Sequence, residues 1–127
     1  MGMRTYKMSI AYVMRFLSSR ERMFYFIIIT PSTSNTVAKI AAGISDTLLS
    51  NAAAQAMKAK VPVYIFPADQ TKGDIVTDLP GGKKLTLTMR DVDLDAVEKL
   101  RRMKGITVLR NPDEIRAVVQ KHIESKK

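Results

Sequence analysis

The chain contains no cysteine and only one histidine. Without cysteine it forms no disulfide, offers no thiolate nucleophile and has no cysteine ligand for zinc or an iron–sulfur cluster. One histidine excludes a metal centre built from several histidines of one chain. That histidine, His122, falls on the apolar stripe of the last predicted helix, so we expect a packed or boundary residue rather than a ligand. No metal site is expected.

Long apolar segments are also absent. The apolar stretch near the start, Met8 to Met14, is bounded by Lys7 and Arg15 and lacks a small-residue cleavage site. This stretch is too short to cross a membrane or to serve as a secretory signal. We therefore expect a soluble, cytoplasmic protein with no membrane partner.

The apolar residues that are present suffice for one core. The chain has 127 residues, of which 46% are hydrophobic, and this length favours a single domain. No internal repeat or low-complexity segment indicates a second unit. Within the domain 1–127 we expect four parts: a divergent N-terminal helix at 1–23, a core of loops and helices at 24–69, a hairpin at 74–90 and a helix–strand–helix unit at 91–127.

The chain is strongly basic, with a formal net charge of +9 from 21 Lys and Arg residues against 12 Asp and Glu. A charge of this size attracts nucleic acid, acidic surfaces and anionic cofactors. One hypothesis is therefore a non-catalytic basic α/β module that binds nucleic acid or a protein partner. No aromatic residue stands among the basic positions to stack on bases, so nucleic acid is the less favoured partner. The candidate contacts are Lys83, Lys84, Arg90, Arg101, Arg102 and the Lys126–Lys127 tail.

Near the start of the chain, apolar residues recur at the spacing of a helix. They fall at i, i+3, i+4 and i+7, at Ile10, Val13, Met14 and Leu17. This spacing predicts an amphipathic helix over Met8–Arg20. Such a helix needs an apolar surface to pack against.

Three short runs of β-branched and aromatic residues alternate with helical segments. The runs are Phe24–Thr30, which Pro31 ends, Val61–Pro67 and Ile106–Arg110. Continuous apolar runs are typical of strands buried on both faces of a parallel sheet. The alternation therefore predicts a Rossmann-like (flavodoxin-like) α/β fold, with a parallel sheet flanked by helices.

Capping residues mark the first two helices between these strands. Asn35 or Thr36 is the expected N-cap of a helix that runs through Ile44. Ser45 or Asp46 is the expected N-cap of the next one. Small residues fill both helices, so a neighbouring backbone or another subunit could approach closely; high alanine helix propensity is the simpler explanation.

The second half of the chain predicts a hairpin and two further helices. Asp74–Leu79 and Lys84–Met89 flank the turn Pro80–Lys83, and apolar residues alternate along the second strand. One helix spans Asp91–Lys104, and Asn111–Glu114 begins the last. We expect the hairpin to protrude as an arm or an edge ribbon.

The segment after the first buried strand is rich in hydrogen-bonding side chains. It lies where a parallel strand ends and a helix begins, so its groups and the helix N–H groups can bind a phosphate, a ribityl chain or the edge of a heterocycle. It lacks the Gly-rich turn and Lys of an ATP-binding loop. Composition alone favours a simpler interpretation, a turn that caps the helix. The segment supplies five hydroxyls and one amide: Thr30, Ser32, Thr33, Ser34, Asn35 and Thr36.

The amino-acid sequence of this segment resembles that of one protein family. Residues 31–69, PSTSNTVAKIAAGISDTLLSNAAAQAMKAKVPVYIFPAD, are similar to the central segment of the homo-oligomeric flavin-containing cysteine decarboxylases. The loop reads Pro-Ser-Thr-Ser-Asn-Thr where that family has Pro-Ala-Ser-Ala-Asn-Thr. The continuation, including the Leu79–Lys83 turn and GITVLRNPDEI, looks more narrowly like the archaeal branch, the archaeoflavoproteins and dihydromethanopterin reductases. The similarity spans Phe24 to Arg116.

This resemblance implies FMN bound between subunits of a trimer that is often assembled further. It also implies a reductase or electron-transfer protein that acts on a pterin-like or redox-protein partner, with no catalytic residue assigned. Asn35 is the best candidate for orienting the ring or substrate, and Asp69 either contacts the ring edge or forms a turn. The implied FMN contacts are the loop and the stretch that closes over the flavin: Thr30, Pro31, Ser32, Thr33, Ser34, Asn35, Thr36, Pro67, Ala68 and Asp69.

The chain departs from the family pattern in two places. It has Pro67-Ala68-Asp69-Gln70 where the decarboxylases have Pro-x-Met-Asn, and it lacks their cysteine, so a redox role is expected instead of decarboxylation. Residues 1–23 are too few for the family's N-terminal phosphate-binding unit. The chain is then a shortened or divergent member, shares that unit with another polypeptide, or has lost flavin. Arg20 or Arg22 could replace the phosphate contacts as point charges.

Overall fold

The computed structural model describes residues 10–17, 23–70 and 72–124. Strands and helices alternate through the centre and the C-terminal part of the chain. The elements are β1 (Ile10–Leu17), β2 (Met23–Ser32), α1 (Ser34–Ala42), α2 (Leu48–Lys58), β3 (Val63–Pro67), β4 (Asp74–Asp78), β5 (Lys84–Thr88), α3 (Asp91–Arg102), β6 (Ile106–Val108) and α4 (Asp113–Glu124).

Four of these strands form the main sheet, in the order β1-β2-β3-β6. β2, β3 and β6 are parallel, and β1 pairs antiparallel with β2. The run in β2 is apolar throughout because successive side chains point to opposite faces and both faces are covered. Ile27 and Ile29 belong to one core cluster, and Phe26 and Ile28 to the other. The predicted Rossmann-like α/β fold is confirmed.

Helices α1, α2 and α3 cover the first face of this sheet. Val37, Ala53 and Leu100, one from each helix, are at most 1% exposed and belong to the same cluster as Ile29 and Ile65. The absence of side-chain bulk at Ala53 lets α2 lie close to the strands. Burial of this continuous apolar surface is the main source of stability, at roughly 25 cal/mol per Å² removed from water.

The second face is covered by α4 through a smaller, more aromatic cluster. Tyr64 Oη lies 2.7 Å from Nε2 of His122, whose ring stacks on Phe26 with 4.1 Å between ring centroids. Burial raises the pKa of Tyr64. His122 is half-buried and packed at the sheet, as the sequence predicts.

The helix predicted over Met8–Arg20 is wrong where the structure describes the chain, because Ile10–Leu17 is a strand. The same eight residues, IAYVMRFL, are rich in β-branched and aromatic types, which favour strands. The helical pattern extends over only eight residues, and a pattern this short does not distinguish a helix from a strand. Pairing with β2, from Ile10 opposite Thr30 to Leu17 opposite Met23, decides between the two periods. The remaining ends of the predicted helix lie outside the described residues.

The N-caps of the first two helices also differ from the predictions. Thr33 caps α1 and Thr47 caps α2, in place of Asn35 or Thr36 and of Ser45 or Asp46. Each capping hydroxyl accepts a hydrogen bond from the backbone N–H three residues further on. In a run of adjacent Ser, Thr, Asn and Asp residues several can act as caps, so composition does not identify the one that does.

The predicted hairpin is present as β4 and β5, joined in a separate two-stranded sheet. Its described apolar side chains remain open to solvent, with Val76 at 59%, Leu85 at 42% and Leu87 at 41% exposure. None of the hairpin residues whose side chains are described belongs to either core cluster. The ribbon therefore protrudes from the domain.

Candidate functional site

The two segments predicted as a site lie side by side at one end of the main sheet. β2 and β3 are parallel, so their carboxyl ends meet at the same edge, where Ser32 pairs with Pro67. The backbone N–H of Ala68 donates to the carbonyl of Ser32 over 2.9 Å. This edge, formed by residues 30–36 and 67–70, is called the carboxyl-end site below. It holds all ten residues singled out in the sequence.

Two of the loop hydroxyls serve helix α1 itself. Thr33 Oγ1 accepts from the backbone N–H of Thr36 at 3.3 Å, and it lies 3.2 Å from the Thr36 hydroxyl. Thr36 is buried. For these two residues the simpler interpretation, a helix cap, accounts for the hydroxyls.

Ser34 and Asp69 connect the two halves of the site. Ser34 Oγ donates to Oδ2 of Asp69 over 2.5 Å, and both side chains are half-buried. The contact holds a carboxylate beside the first turn of α1, where the helix macrodipole favours negative charge. Because that position already carries an anion, it suits a neutral N–H-bearing ring better than a phosphate.

The hydroxyl of Ser32 has no hydrogen-bond partner among the described residues. Ser32 is fully buried, and an unpartnered buried hydroxyl costs roughly 1–3 kcal/mol. It lies where β2 departs from its regular register with β3, next to the cis peptide bond between Thr30 and Pro31. Buried polar atoms without a partner in the protein are usually satisfied by an ordered water molecule or a ligand.

The remaining predicted residues differ in how far a ligand can reach them. Asn35, in the first turn of α1, is exposed, as are Pro31 and Ala68. Thr30 is half-buried, and Pro67 is buried. Asn35 therefore offers an amide that can both donate and accept at an accessible position.

Gln70 is the last residue of the Pro67–Gln70 stretch expected to close over the flavin, although it was not predicted as a flavin contact. Its Nε2 donates to the carbonyls of Pro67 at 3.1 Å and Leu109 at 3.0 Å. Its Oε1 accepts from Nη2 of Arg101 at 3.1 Å. Gln70 thereby ties the end of β3 to the end of β6 and to α3. A polar residue three positions after a buried strand was the available signal, but its partners are distant in sequence.

The basic residues of the competing hypothesis are partly engaged within the chain. Arg90 donates to both carboxylate oxygens of Asp93, at 2.9 and 2.7 Å, and these hydrogen bonds hold the pKa of Asp93 below its usual value. Arg101 pairs with Glu98 at 3.1 Å as well as with Gln70. Lys83, Lys84 and Arg102 are exposed, and Lys126–Lys127 lie outside the described residues.

Arg20 and Arg22 also lie outside the described residues. The residues that flank them, Leu17 and Met23, pair with each other at the opposite end of β2 from Thr30.

Two classes of site find no counterpart in the part of the chain that the structure describes. There, no group of three or more His, Asp or Glu residues is arranged to hold a metal ion. In the same ranges, no helix combines the length and the apolar character needed to span a bilayer.

Comparison with known proteins gives a consistent result. The model of the family described as Flavoprotein matches residues 14–125. An uncharacterised protein of Methanocaldococcus jannaschii is 64% identical over 100 residues, which cover 79% of this chain and 54% of the relative. A dihydromethanopterin reductase (acceptor) of Methanosarcina mazei is 28% identical over 144 residues, covering 70% of this chain and 60% of the relative.

Among solved structures, DmrB from Burkholderia xenovorans in complex with FMN, described as a cubic protein cage for redox transfer, is similar. It is 39% identical, with a TM-score of 0.68, over 77% of this chain and 53% of DmrB. The chain thus spans about half the length of the similar Methanocaldococcus protein and of DmrB.

Proposed function

The chain belongs to the flavoprotein family, and from that premise we propose that it binds FMN at the carboxyl-end site and acts as a reductase or electron-transfer protein. Its partner is a pterin-like molecule or a redox protein. The DmrB structure, similar over most of this chain, contains FMN. A similar protein of Methanosarcina mazei is a dihydromethanopterin reductase. These relatives support the proposal.

The observation that carries the proposal is the pairing of Ser34 with Asp69 beside the exposed amide of Asn35. Together they put an acceptor and a two-way hydrogen-bonding group at the edge of a parallel sheet, where α/β folds bind such ligands. The pyrimidine edge of an isoalloxazine ring carries both N–H and C=O groups, so these residues fit it. The orphaned hydroxyl of Ser32 fits a ligand that brings a further hydrogen bond.

The roles of the residues follow from their chemistry. Asn35 orients the ring or the substrate, Asp69 accepts from a ring N–H, and Ser34 fixes the carboxylate of Asp69. Gln70 holds the closing segment in place through the carbonyls of Pro67 and Leu109. When bound, the flavin supplies hydride or electron transfer, and the protein supplies orientation, electrostatics and exclusion of water.

The phosphate group of FMN requires contacts that this edge does not supply as charged side chains. We propose a homo-oligomer, a trimer or a multiple of it, in which a neighbouring subunit contributes to the site. Residues 1–127 act as one domain of that assembly. The description of DmrB as a cubic protein cage supports an assembly of several chains.

The proposal is tested by titrating the purified protein with FMN and with riboflavin, which lacks the phosphate, and by following the visible absorbance. We expect saturable binding of both, with similar affinities if the ring provides most of the contacts. Asn35→Ala should weaken binding roughly tenfold, the equivalent of about 1.4 kcal/mol. Asn51→Ala, an exposed asparagine on α2, is the matched control and should bind as the wild type does.

Absence of flavin binding, or equal affinities for the wild type and Asn35→Ala, would contradict the assignment of this site.

The competing function, a basic module without flavin, predicts a different result. It requires salt-sensitive binding of the apoprotein to nucleic acid, with an affinity that falls steeply between 50 and 200 mM salt, as in the general behaviour of phosphate-contacting proteins.

A further inference from the structure

A groove of about 720 Å³ lies at the opposite end of the main sheet from the carboxyl-end site. It opens between the connection from α2 to β3 and the connection from α3 to β6. Three lysines, Lys58, Lys60 and Lys104, line it, together with an apolar floor of Val61, Pro62 and Ile106. It is called the amino-end groove below.

The positive charge of the amino-end groove is not neutralised locally. No described acidic residue lines the groove, and the ion pairs found in the described ranges involve other basic residues. The three lysines come from two separate connections of the fold, so their convergence is a product of tertiary structure. A concave surface with one sign of charge concentrates ions of the opposite sign.

The helix dipoles explain the positions of two of the three lysines. Lys58 is the last residue of α2, and Lys104 follows the end of α3, where cations stabilise the negative ends of helices. The same macrodipoles weaken the attraction of an anion, so the three full positive charges must outweigh two partial negative ones. Helix stabilisation alone does not explain Lys60.

Lys60 adopts a backbone conformation that favours glycine. Its φ is +61°, after the end of α2, whereas the corresponding position after α1 is occupied by Gly43 with φ of +79°. A left-handed residue after a helix is usually Gly or Asn, because a side chain makes this conformation less favourable. A lysine at such a position indicates that its side chain has a use, since unfavourable conformations are retained most often at functional sites.

We propose that the amino-end groove binds an organic anion, with a phosphate or carboxylate head group held by Lys58, Lys60 and Lys104 and an apolar part resting on Val61, Pro62 and Ile106. The volume falls within the range of small-molecule sites, and such sites combine an apolar lining with a few convergent polar groups. Lysine binds phosphate and carboxylate as a point charge without a fixed geometry. This site is separate from the flavin site and does not depend on it.

The test uses phenyl phosphate as the probe and inorganic phosphate for comparison, with backbone amide NMR of the full chain. We expect saturable shifts at the amides of Gly105 and Thr107, which line the groove. Phenyl phosphate should bind several-fold more tightly than inorganic phosphate, because only its ring buries apolar surface. Phthalate, a dicarboxylate with the same ring, shows whether the head group preferred is phosphate or carboxylate.

Lys60→Gly is the decisive variant, because it removes one charge and relieves the backbone at the same time. It should fold at least as well as the wild type and bind phenyl phosphate roughly fivefold more weakly. Lys121→Gln, an exposed lysine on α4, lowers the net charge by the same amount and should bind as the wild type does. Binding of FMN should be unchanged in both variants.

Three results would each overturn the proposal. Equal weakening by Lys60→Gly and Lys121→Gln would mean that only the overall charge attracts the probe. Equal affinities for phenyl phosphate and inorganic phosphate would remove the role of the apolar floor. Shifts confined to the amides of residues 33–36, or no saturable shift, would mean that the groove takes no anion.

Discussion

The two ends of the same parallel strands carry opposite kinds of polar chemistry. At the carboxyl end, hydroxyls, an amide and the carboxylate of Asp69 surround the start of α1. At the amino end, Lys58, Lys60 and Lys104 converge on a groove with no described acidic residue. The helix dipoles complement these charges. The positive N-terminus of α1 lies at the carboxyl end, near Asp69, and the negative C-termini of α2 and α3 lie at the amino end, near the lysines.

This difference shows that a net charge of +9 does not describe the surface of the protein. The end proposed to take FMN offers hydrogen bonds of both kinds with little positive charge, which suits a neutral ring. The lysine-lined end suits an anion. Substitutions at one end should therefore leave the ligand of the other end unaffected, and this independence can be tested.

The largest effect is expected from breaking the contact between Ser34 and Asp69. Ser34→Ala should lower the free energy of unfolding by roughly 2 kcal/mol, because a hydrogen bond to a charged group is lost. In a double-mutant cycle with Asp69→Asn, urea unfolding should show coupling of about 1 kcal/mol between the two residues. Ser45→Ala, at an exposed serine, is the control and should leave stability nearly unchanged. Additive effects of Ser34→Ala and Asp69→Asn would mean that the contact does not stabilise the site.

A slightly smaller effect is expected from Gln70→Leu. The variant loses the hydrogen bonds to the carbonyls of Pro67 and Leu109, so unfolding should be easier by roughly 1–2 kcal/mol. Binding of FMN should also weaken, because the closing segment is no longer tied to β6, while phenyl phosphate binding stays constant. Gln55→Leu, at an exposed position of α2, provides the control for the added apolar side chain. Equal FMN affinities for Gln70→Leu and Gln55→Leu would argue against the tie.

At the amino end the expected change has the opposite sign. Lys60→Gly should raise the free energy of unfolding by about 0.5–1 kcal/mol, because glycine adopts a positive φ without a steric penalty. Ala59→Gly is the matched control: Ala59 has a φ of −85°, so glycine there only adds freedom to the unfolded chain and should lower stability. Thermal unfolding of the two variants distinguishes these outcomes, and a loss of stability in Lys60→Gly would show that its side chain also contributes to folding.

The smallest effect concerns pH. The hydrogen bonds from Arg90 lower the pKa of Asp93 in the folded state, so this pair stabilises the fold above the unfolded pKa of the carboxyl. The contribution is lost as the pH falls through the lower, folded pKa. In urea unfolding measured as a function of pH, the free energy of unfolding should therefore fall less steeply towards acid pH for Asp93→Asn, and also for Arg90→Gln, than for the wild type. If both variants lose stability towards acid pH as steeply as the wild type does, the Arg90–Asp93 pair is not the cause of that loss.

Much of the fold follows from local patterns in the sequence. The apolar runs that predict strands at Phe24–Thr30 and Val61–Pro67 overlap β2 and β3, because burial on both faces requires apolar residues at successive positions. The prediction that Pro31 ends the first strand is wrong, since β2 continues to Ser32. The helix predicted at Asp91–Lys104 is α3, whose acidic start and basic end match its dipole. The hairpin is present with its predicted turn.

The errors have a common origin in competing local signals. Ile10–Leu17 fits both a helical stripe and a strand, and only the unpaired edge of β2, a tertiary feature, selects the strand. The cap of α1 was predicted two or three residues too late and the cap of α2 one or two residues too early, because adjacent Ser, Thr, Asn and Asp side chains can all act as caps. Local sequence does not contain the information that separates these choices.

The candidate site also combines residues that local sequence predicts with contacts that only the tertiary structure reveals. Each of the loop residues could be named from its position after a strand, but the pairing of Ser34 with Asp69 joins residues 35 positions apart. The contacts of Gln70 with Leu109 and Arg101 are equally distant in sequence. The amino-end groove was missed entirely, since Lys58, Lys60 and Lys104 become neighbours only when α2 and α3 pack on the same face.

The β4–β5 ribbon rests on its own cross-strand pairs, such as Thr77 with Leu85, and its described side chains take no part in the core around Ile65 and Leu100. Mutations in the arm are therefore decoupled from the folding of the domain. Changes in the length of its Pro80–Lys83 turn should therefore alter what the arm can reach without altering how the sheet folds.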